Sequence, residues 1–245
     1  MKKNMCVFAI MLFSLTMVNC GGEDEPVVEP KAEQVSTAVG PKTIFYDNFS
    51  DRKNEWQQIR GNWKLDSNGF FLQRSADERM LNSILFVDTP QTANASYEIL
   101  VRIEPDLPST MTDSEADRAL RYNIRYIIGA GLIFRMKDQD NFYMFRLAGE
   151  EGAVLGKMIN GEWVDIANPR TIDLLSARVR FSADNWYRLK VDAYGDRIIC
   201  YINDSVVCSS TDSQFSMGKF GLCTFKTTAD FDYIKVYDKT ESEIR

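Results

Sequence analysis

From Thr43 onward, apolar and polar residues alternate in short runs separated by turn-forming residues. The first runs are IFYDNF (44–49), GNWKLD (61–66), FFLQRS (70–75), ILFVDT (84–89), SYEILVRIE (96–104) and YNIRYIIGAGLIFRM (122–136). They continue as NFYMFRLA (141–148), AVLGKMI (153–159), EWVDIA (162–167), ARVRFS (177–182) and WYRLKVDAY (186–194). The last are RIICYI (197–202), SVVCSS (205–210), GKFGLCTF (218–225) and FDYIKVYD (231–238). A period of two, repeated at such short spacing, predicts an all-β domain, a sandwich or a barrel. Asn160-Gly161 and Asn203-Asp204 have the composition of two-residue hairpin turns, which need a positive φ. Only SEADRALRY (114–122) has helical spacing, capped by Asp113 or Ser114. It lies within Pro105 to Arg121, the longest interruption between runs and thus a candidate rim loop or lid.

The segment GLIFRMKDQDNFYMFRL (131–147) is two alternating runs around a polar tip. With Asp138 to Asn141 as a four-residue tip, Lys137 falls opposite Phe142, Arg135 opposite Met144 and Ile133 opposite Arg146. The other stripe then holds Leu132, Phe134, Met136, Tyr143, Phe145 and Leu147. That stripe is wholly apolar or aromatic and is expected in the core. Arg135, Phe142, Met144 and Arg146 are left on the opposite face. Trp163 can join them from the next hairpin, although its position opposite Met158 also admits a core placement. Large apolar surfaces beside fixed cationic donors suit a glycan, and arginines suit a carboxylate or sulfate on it. The same arginines are equally the ordinary solubilising charges of an exposed strand.

The N-terminus follows a different pattern. Lys2 and Lys3 precede an apolar stretch from Met5 to Val18, too short to span a bilayer comfortably and typical of a secretory signal. The stretch stops at Cys20, followed by Gly21 and Gly22. This resembles a bacterial lipoprotein signal, with Met17 standing where Leu is usual and Asn19 where a small residue is usual. The resemblance implies removal of residues 1–19 and diacylation of Cys20, two acyl chains being enough for stable anchoring. The alternative is an ordinary signal peptide with a chance cysteine. Residues 20–42, rich in Pro and Glu, read as a flexible tether. The acidic cluster Glu23, Asp24 and Glu25 resembles the export signal of surface lipoproteins, or is simply an acidic linker. The expected location is the bacterial outer membrane, lipid-anchored and facing the cell surface, with the periplasmic leaflet as the other possibility.

Composition narrows the chemistry. The 245 residues carry 35 acidic and 29 basic side chains, a net charge of −6, which argues against nucleic acid as a partner. There is no histidine. Its absence removes Ser-His-Asp and Cys-His catalysis and every His-ligated zinc site. The five cysteines show no CxxC spacing. Around the Asn203-Asp204 turn, unbroken register places Cys200 opposite Val207 and Ile199 opposite Cys208, which disfavours a Cys200–Cys208 bridge. A bridge from Cys223 to either one, or three free thiols, remains open.

The phrases YDNFSD, GNWKLDSNGFFLQ, AGLIFRMKDQDNFYMFRL, NWYRLKVDAYGDRIICYINDSVV, MGKFGLCTF and ADFDYIKVYD resemble those of the concanavalin A-like (laminin G-like) jelly-roll superfamily. Within it they are similar to the bacterial secreted kind that includes the domain named for 3-keto-disaccharide hydrolase. The resemblance implies a two-sheet antiparallel β-sandwich over residues 43–240, with 241–245 as a tail. It also implies a glycan platform on the outer face of one sheet. Terminal strands lying side by side would close a sheet, and the alternation of Phe45, Asp47 and Phe49 and of Phe231, Tyr233 and Lys235 is compatible with that. Such pairing would bring Asp47 near Asp232, where related domains hold a structural Ca²⁺.

Retaining glycanases of this fold carry Glu-x-Asp-x-x-Glu on one strand, with carboxylates about 5 Å apart. Here Glu104-Pro105-Asp106-Leu107-Pro108-Ser109 lacks the third acid and is interrupted by proline. The expected function is therefore a non-catalytic module binding a carbohydrate or extracellular-matrix ligand. A hydrolase or lyase with atypical carboxylates is the enzyme alternative, and an adhesive protein-binding domain is the third.

Overall fold

The computed structural model describes residues 41–50, 54–65, 71–73, 83–104, 129–148, 152–168, 172, 185–225, 227–240 and 243. All belong to one of two compact units, Val39–Arg245. The expected signal peptide, Cys20, the helix at 114–122, the 105–121 loop and the 177–182 strand lie outside the described residues. Among the described residues no helix is long and apolar enough to cross a membrane.

Alternating segments become strands because only one face of each can be buried. One antiparallel sheet is built from β1 (Thr43–Asp47), β3 (Trp63–Leu65), β4 (Phe71–Gln73), β6 (Ala95–Glu104), β11 (Trp186–Tyr194), β12 (Arg197–Ile202), β13 (Ser205–Thr211) and β15 (Thr228–Asp238). Its order is β13-β12-β11-β6-β15-β4-β3, with β1 also on β15. The other comprises β2 (Trp56–Ile59), β5 (Ser83–Thr92), β7 (Gly129–Asp138), β8 (Asn141–Leu147), β9 (Ala153–Ile159), β10 (Glu162–Ala167) and β14 (Gly218–Phe225), in the order β10-β9-β8-β7-β14-β5-β2. β2 has no counterpart among the sequence runs, because WQQI presents polar residues where alternation would place apolar ones.

The main core lies between the sheets. Tyr97, Ile99 and Val101 of β6, Leu189 and Val191 of β11, and Ile234 and Val236 of β15 face Leu132, Phe134, Phe145, Leu155, Phe220 and Leu222. Full burial of each such side chain contributes roughly 1.5–3 kcal/mol. The Asn160-Gly161 and Asn203-Asp204 turns form as expected, with positive φ at all four residues.

The terminal strands do pair, β1 running antiparallel to β15 with Asp47 opposite Ile234. The Ca²⁺ expectation at Asp47 and Asp232 fares otherwise. Asp47 is 5% exposed and accepts hydrogen bonds from the Phe49 N–H at 2.7 Å, Asn54 Nδ2 at 2.8 Å and Trp56 Nε1 at 2.8 Å. Both its oxygens are thus engaged, Oδ1 in the local turn at Phe49 and Oδ2 in tying β1 to the Asn54–Trp56 segment. Asp232 lies at a register shift in β15, and no group of three or more Asp, Glu or Cys side chains forms among the described residues. This donor set does not fit a cage for a hard cation, which takes six or more oxygens.

Two hairpins depart from regular register. Between β7 and β8, Asp138 pairs with Asn141, but Phe134 pairs with Tyr143 rather than with Phe145. Two extra residues are accommodated in β7, and Arg135 adopts φ 49. This left-handed residue re-aims the chain. Arg135 turns inward and Met136 joins the outer face, the reverse of the expected assignment. Between β12 and β13, the register shifts by one beyond Tyr201–Val206, so that Cys200 stands opposite Cys208. The expected pairing of Cys200 with Val207 is overturned, because Val207 occupies a one-residue bulge.

Candidate functional site

The outer face of the β10-β9-β8-β7-β14-β5-β2 sheet can be read row by row from the register. One row runs Trp163, Met158, Phe142. The next runs Asp165, Gly156, Met144, Ile133, Gly221, Phe86. A third runs Val154, Arg146, Gly131, Cys223, Ile84. Phe142, Met144, Arg146 and Trp163 thus share a face. Arg135 does not.

Arg135 is fully buried between the sheets. Its Nε and Nη2 donate to the Ala93 carbonyl at 3.0 and 2.8 Å, and its Nη1 donates to the Gly195 and Phe215 carbonyls at 2.8 and 3.2 Å. Burial lowers its pKa, opposed by the nearby Tyr97 and Tyr143. The guanidinium clamps three loops, and this placement corrects its assignment to a ligand platform. Beside it Tyr143 Oη donates to Asp212 Oδ1 at 2.5 Å and accepts from the Phe215 N–H at 3.1 Å. Lys157 Nζ donates to Asp212 Oδ2 at 2.5 Å.

The rest of the expected platform is closed over much of its area. Phe142 is 0% and Met144 2% exposed, in a second apolar cluster with Ile84, Phe86, Ile133, Met136, Met158 and Cys223. These two residues are packed apolar groups, not an open surface. Arg146, 7% exposed, reclines across β7. A Cβ at Gly129 would lie 2.4 Å from its Nη1, and one at Gly131 2.8 Å from its Cβ. Its guanidinium reaches the Phe225 ring at 5.2 Å, and Nη1 donates to the Leu147 carbonyl at 3.3 Å. Burial pulls its pKa down to about 10, against the opposing influence of Cys223 and Asp165.

Among the described residues this face is accessible at β10. Trp163 is half-buried, and its six-membered ring lies over Gly156, where a Cβ would come within 2.2 Å of the indole. Its Nε1 donates to Asp165 Oδ1 at 2.6 Å, and Asn168 Nδ2 donates to Asp165 Oδ2 at 3.2 Å. Asp165 itself is exposed. A flat apolar ring with a carboxylate and a carboxamide along one edge offers a surface for sugar C–H groups beside acceptors and donors for hydroxyls. Asp165 and Asn168 were absent from the sequence reading. The signal for Asp165 was present, since Trp163 and Asp165 are two apart on one strand and must share a face.

No protein-family model matches the chain. Over 110 residues, 43% of the chain, it is 36% identical to a levanase of Bacillus subtilis (strain 168), and that match spans 15% of the levanase's length. Among solved structures, it is similar to the carbohydrate-binding module CBM66 from Bacillus subtilis, with TM-score 0.58 and 24% identity over 76% of this chain and 96% of that one. It is also similar to a Bacillus licheniformis beta-glucanase, TM-score 0.54 and 11% identity over 82% of this chain and 100% of that one. A Bacillus subtilis protein with a galectin-like fold gives TM-score 0.54 and 10% identity over 80% and 96%. At these identities the structural likeness is one of fold, and that fold is the concanavalin A-like jelly-roll sandwich.

Proposed function

We propose that the chain is a non-catalytic carbohydrate-binding sandwich, held at the bacterial outer membrane surface through a diacylated Cys20. The observation that carries the ligand class is the levanase likeness, supported by the shared fold with a carbohydrate-binding module. Trp163, Asp165 and Asn168 are the groups assigned to the glycan, with the indole stacking on a ring face and the carboxylate accepting from hydroxyls. Arg146 lies on the same face, close enough to Asp165 for the carboxylate to oppose the lowering of the guanidinium pKa by burial. A non-catalytic role fits the lack of histidine and of the Glu-x-Asp-x-x-Glu pattern.

The test is titration of the full chain with levan, the polymer for which the levanase is named, and with a panel of other polysaccharides. Trp163→Ala is expected to weaken binding by at least about ten-fold, the loss of one desolvated aromatic anchor, with an unchanged circular dichroism spectrum. Equal affinity of the variant would remove the site from β10. Release of reducing ends from any polysaccharide would replace binding with hydrolysis. For the anchor, radiolabelled palmitate should enter the wild type and not Cys20→Ser; incorporation that persists in the variant refutes it.

A further inference from the structure

Cys200 and Cys208 are brought together by a feature that the residue spacing conceals. The bulge at Val207 puts them directly opposite one another on β12 and β13. Opposed residues of an antiparallel pair have Cα atoms about 4.5–5.5 Å apart, inside the range that a disulfide spans. Both side chains point to the same side: Cys200 is fully buried in the main core, and Cys208, partly exposed, packs against that core. The Cys200 thiol hydrogen-bonds Cys208, and this bond with a second from the Cys200 backbone lowers the Cys208 pKa, whereas burial holds Cys200 protonated. Among the described residues β13 is the last strand of its sheet, and the Cys208 thiol on it is partly exposed to small reagents.

We propose that Cys200 and Cys208 form a redox pair that closes to an intramolecular disulfide and staples the edge strand β13 to β12. The oxidant is an external disulfide, of a small molecule or of an oxidase protein. The Cys208 thiolate attacks one sulfur of that disulfide, forming a mixed disulfide and releasing the first thiol. Cys200 then gives up its proton and attacks Cys208 Sγ, releasing the second thiol. Two protein thiols are oxidised by two electrons, one external disulfide is reduced to two thiols, and both protons leave with them. Cys223, buried on the outer side of the other sheet, takes no part; burial pushes its pKa up to about 12. This pairing is independent of any glycan ligand.

The test uses the folded full chain, oxidised glutathione as the probe, alkylation of remaining thiols after unfolding, and tryptic mapping. Cys200 and Cys208 share the fragment from Ile198 to Lys219, and Cys223 lies in the next one. The expected result is a fragment lighter by two hydrogens and free of alkyl groups, with Cys223 alkylated. Closure should be at least about ten-fold faster in the folded chain than in urea, since the fold holds the thiols in register. Cys200→Ser should stop at the mixed disulfide, with glutathione retained on Cys208. The proposal is overturned if both thiols of the fragment stay alkylatable, if Cys223 enters the bridge, or if Cys200→Ser acquires no adduct.

Discussion

The β7–β8 and β12–β13 hairpins were both expected to have unbroken register, and both contain a bulge, with opposite consequences. In β7–β8 the shift is by two residues, so side chains beyond it keep their face: Leu132, Phe134, Phe145 and Leu147 remain in the core. Only the residues inside the irregularity change sides, Arg135 inward and Met136 outward. In β12–β13 the shift is by one, and a new opposed pair appears beyond it, Cys200 with Cys208. An even insertion re-pairs residues within each face and changes the side only of those inside it, whereas an odd one sets side chains that alternation assigns to opposite faces against each other. Each bulge therefore creates a contact between groups that alternation assigns to different places.

The largest effect is expected from breaking the even bulge. Arg135 adopts a left-handed φ costing about 1–2 kcal/mol, offset by four hydrogen bonds to three loop carbonyls. Arg135→Met strands those carbonyls at roughly 1–3 kcal/mol each, so a loss of about 4 kcal/mol or more is expected in urea unfolding. Arg135→Lys, with a single point of donation, should fall between. A loss under about 1 kcal/mol would mean that the clamp contributes little and that packing alone sets the bulge.

A smaller effect should follow from pressing on the same bulge from its neighbour. A Cβ at Gly218 would lie 2.4 Å from the Met136 carbonyl oxygen and 2.6 Å from the Arg135 carbonyl carbon. Gly218→Ala is expected to destabilise by about 1–3 kcal/mol, the usual cost of overpacking. The same substitution should leave Cys200–Cys208 closure rates unchanged, which separates the two hairpins.

The smallest effect concerns the residue that joins them. Asp212 follows β13, its N–H donates to the Asp196 carbonyl at 2.8 Å, and its carboxylate holds Tyr143 of β8 and Lys157 of β9. Burial alone would raise its pKa, but hydrogen bonds from Lys157, Tyr143 and the Gln214 N–H, with the Lys157 charge, lower it on balance. A depressed carboxylate pKa stabilises the fold above the unfolded value, near 3.9, and that contribution is lost as pH falls through the folded value. Asp212→Asn should cost about 1–2 kcal/mol at neutral pH and flatten the acid limb of the stability curve. An unaltered acid limb would show that other carboxylates control it.

Much of the fold was legible from alternation alone. An amphipathic strand has one way to bury its apolar stripe, so Tyr97, Ile99, Val101, Leu132, Phe134, Phe145 and Leu155 had to face inward. The glycine-containing and Asn-Asp turns were equally legible, because a positive φ is a property of the residues at those positions. The candidate site was legible only in part. Phe142, Met144 and Arg146 do share a face, but their burial depends on what packs over that face, and period-two spacing carries no information about a second layer. Asp165 was readable beside Trp163. The contact of the indole with Gly156 was not, since it joins two strands through the reach of a side chain.

Alternation in the sequence by itself determined the strands of a β-sandwich, which of their faces enter the core, and where the tight turns fall, because these follow from local periodicity and backbone preference. Tertiary structure decided that Arg135 is a clamp, that Asp47 serves hydrogen bonds linking β1 to the Asn54–Trp56 segment, and that Cys200 meets Cys208. Each of those depends on a bulge or on a contact between distant segments. A bulge is stabilised by partners such as the Ala93, Gly195 and Phe215 carbonyls, which lie 42, 60 and 80 residues away along the chain. No local pattern encodes them.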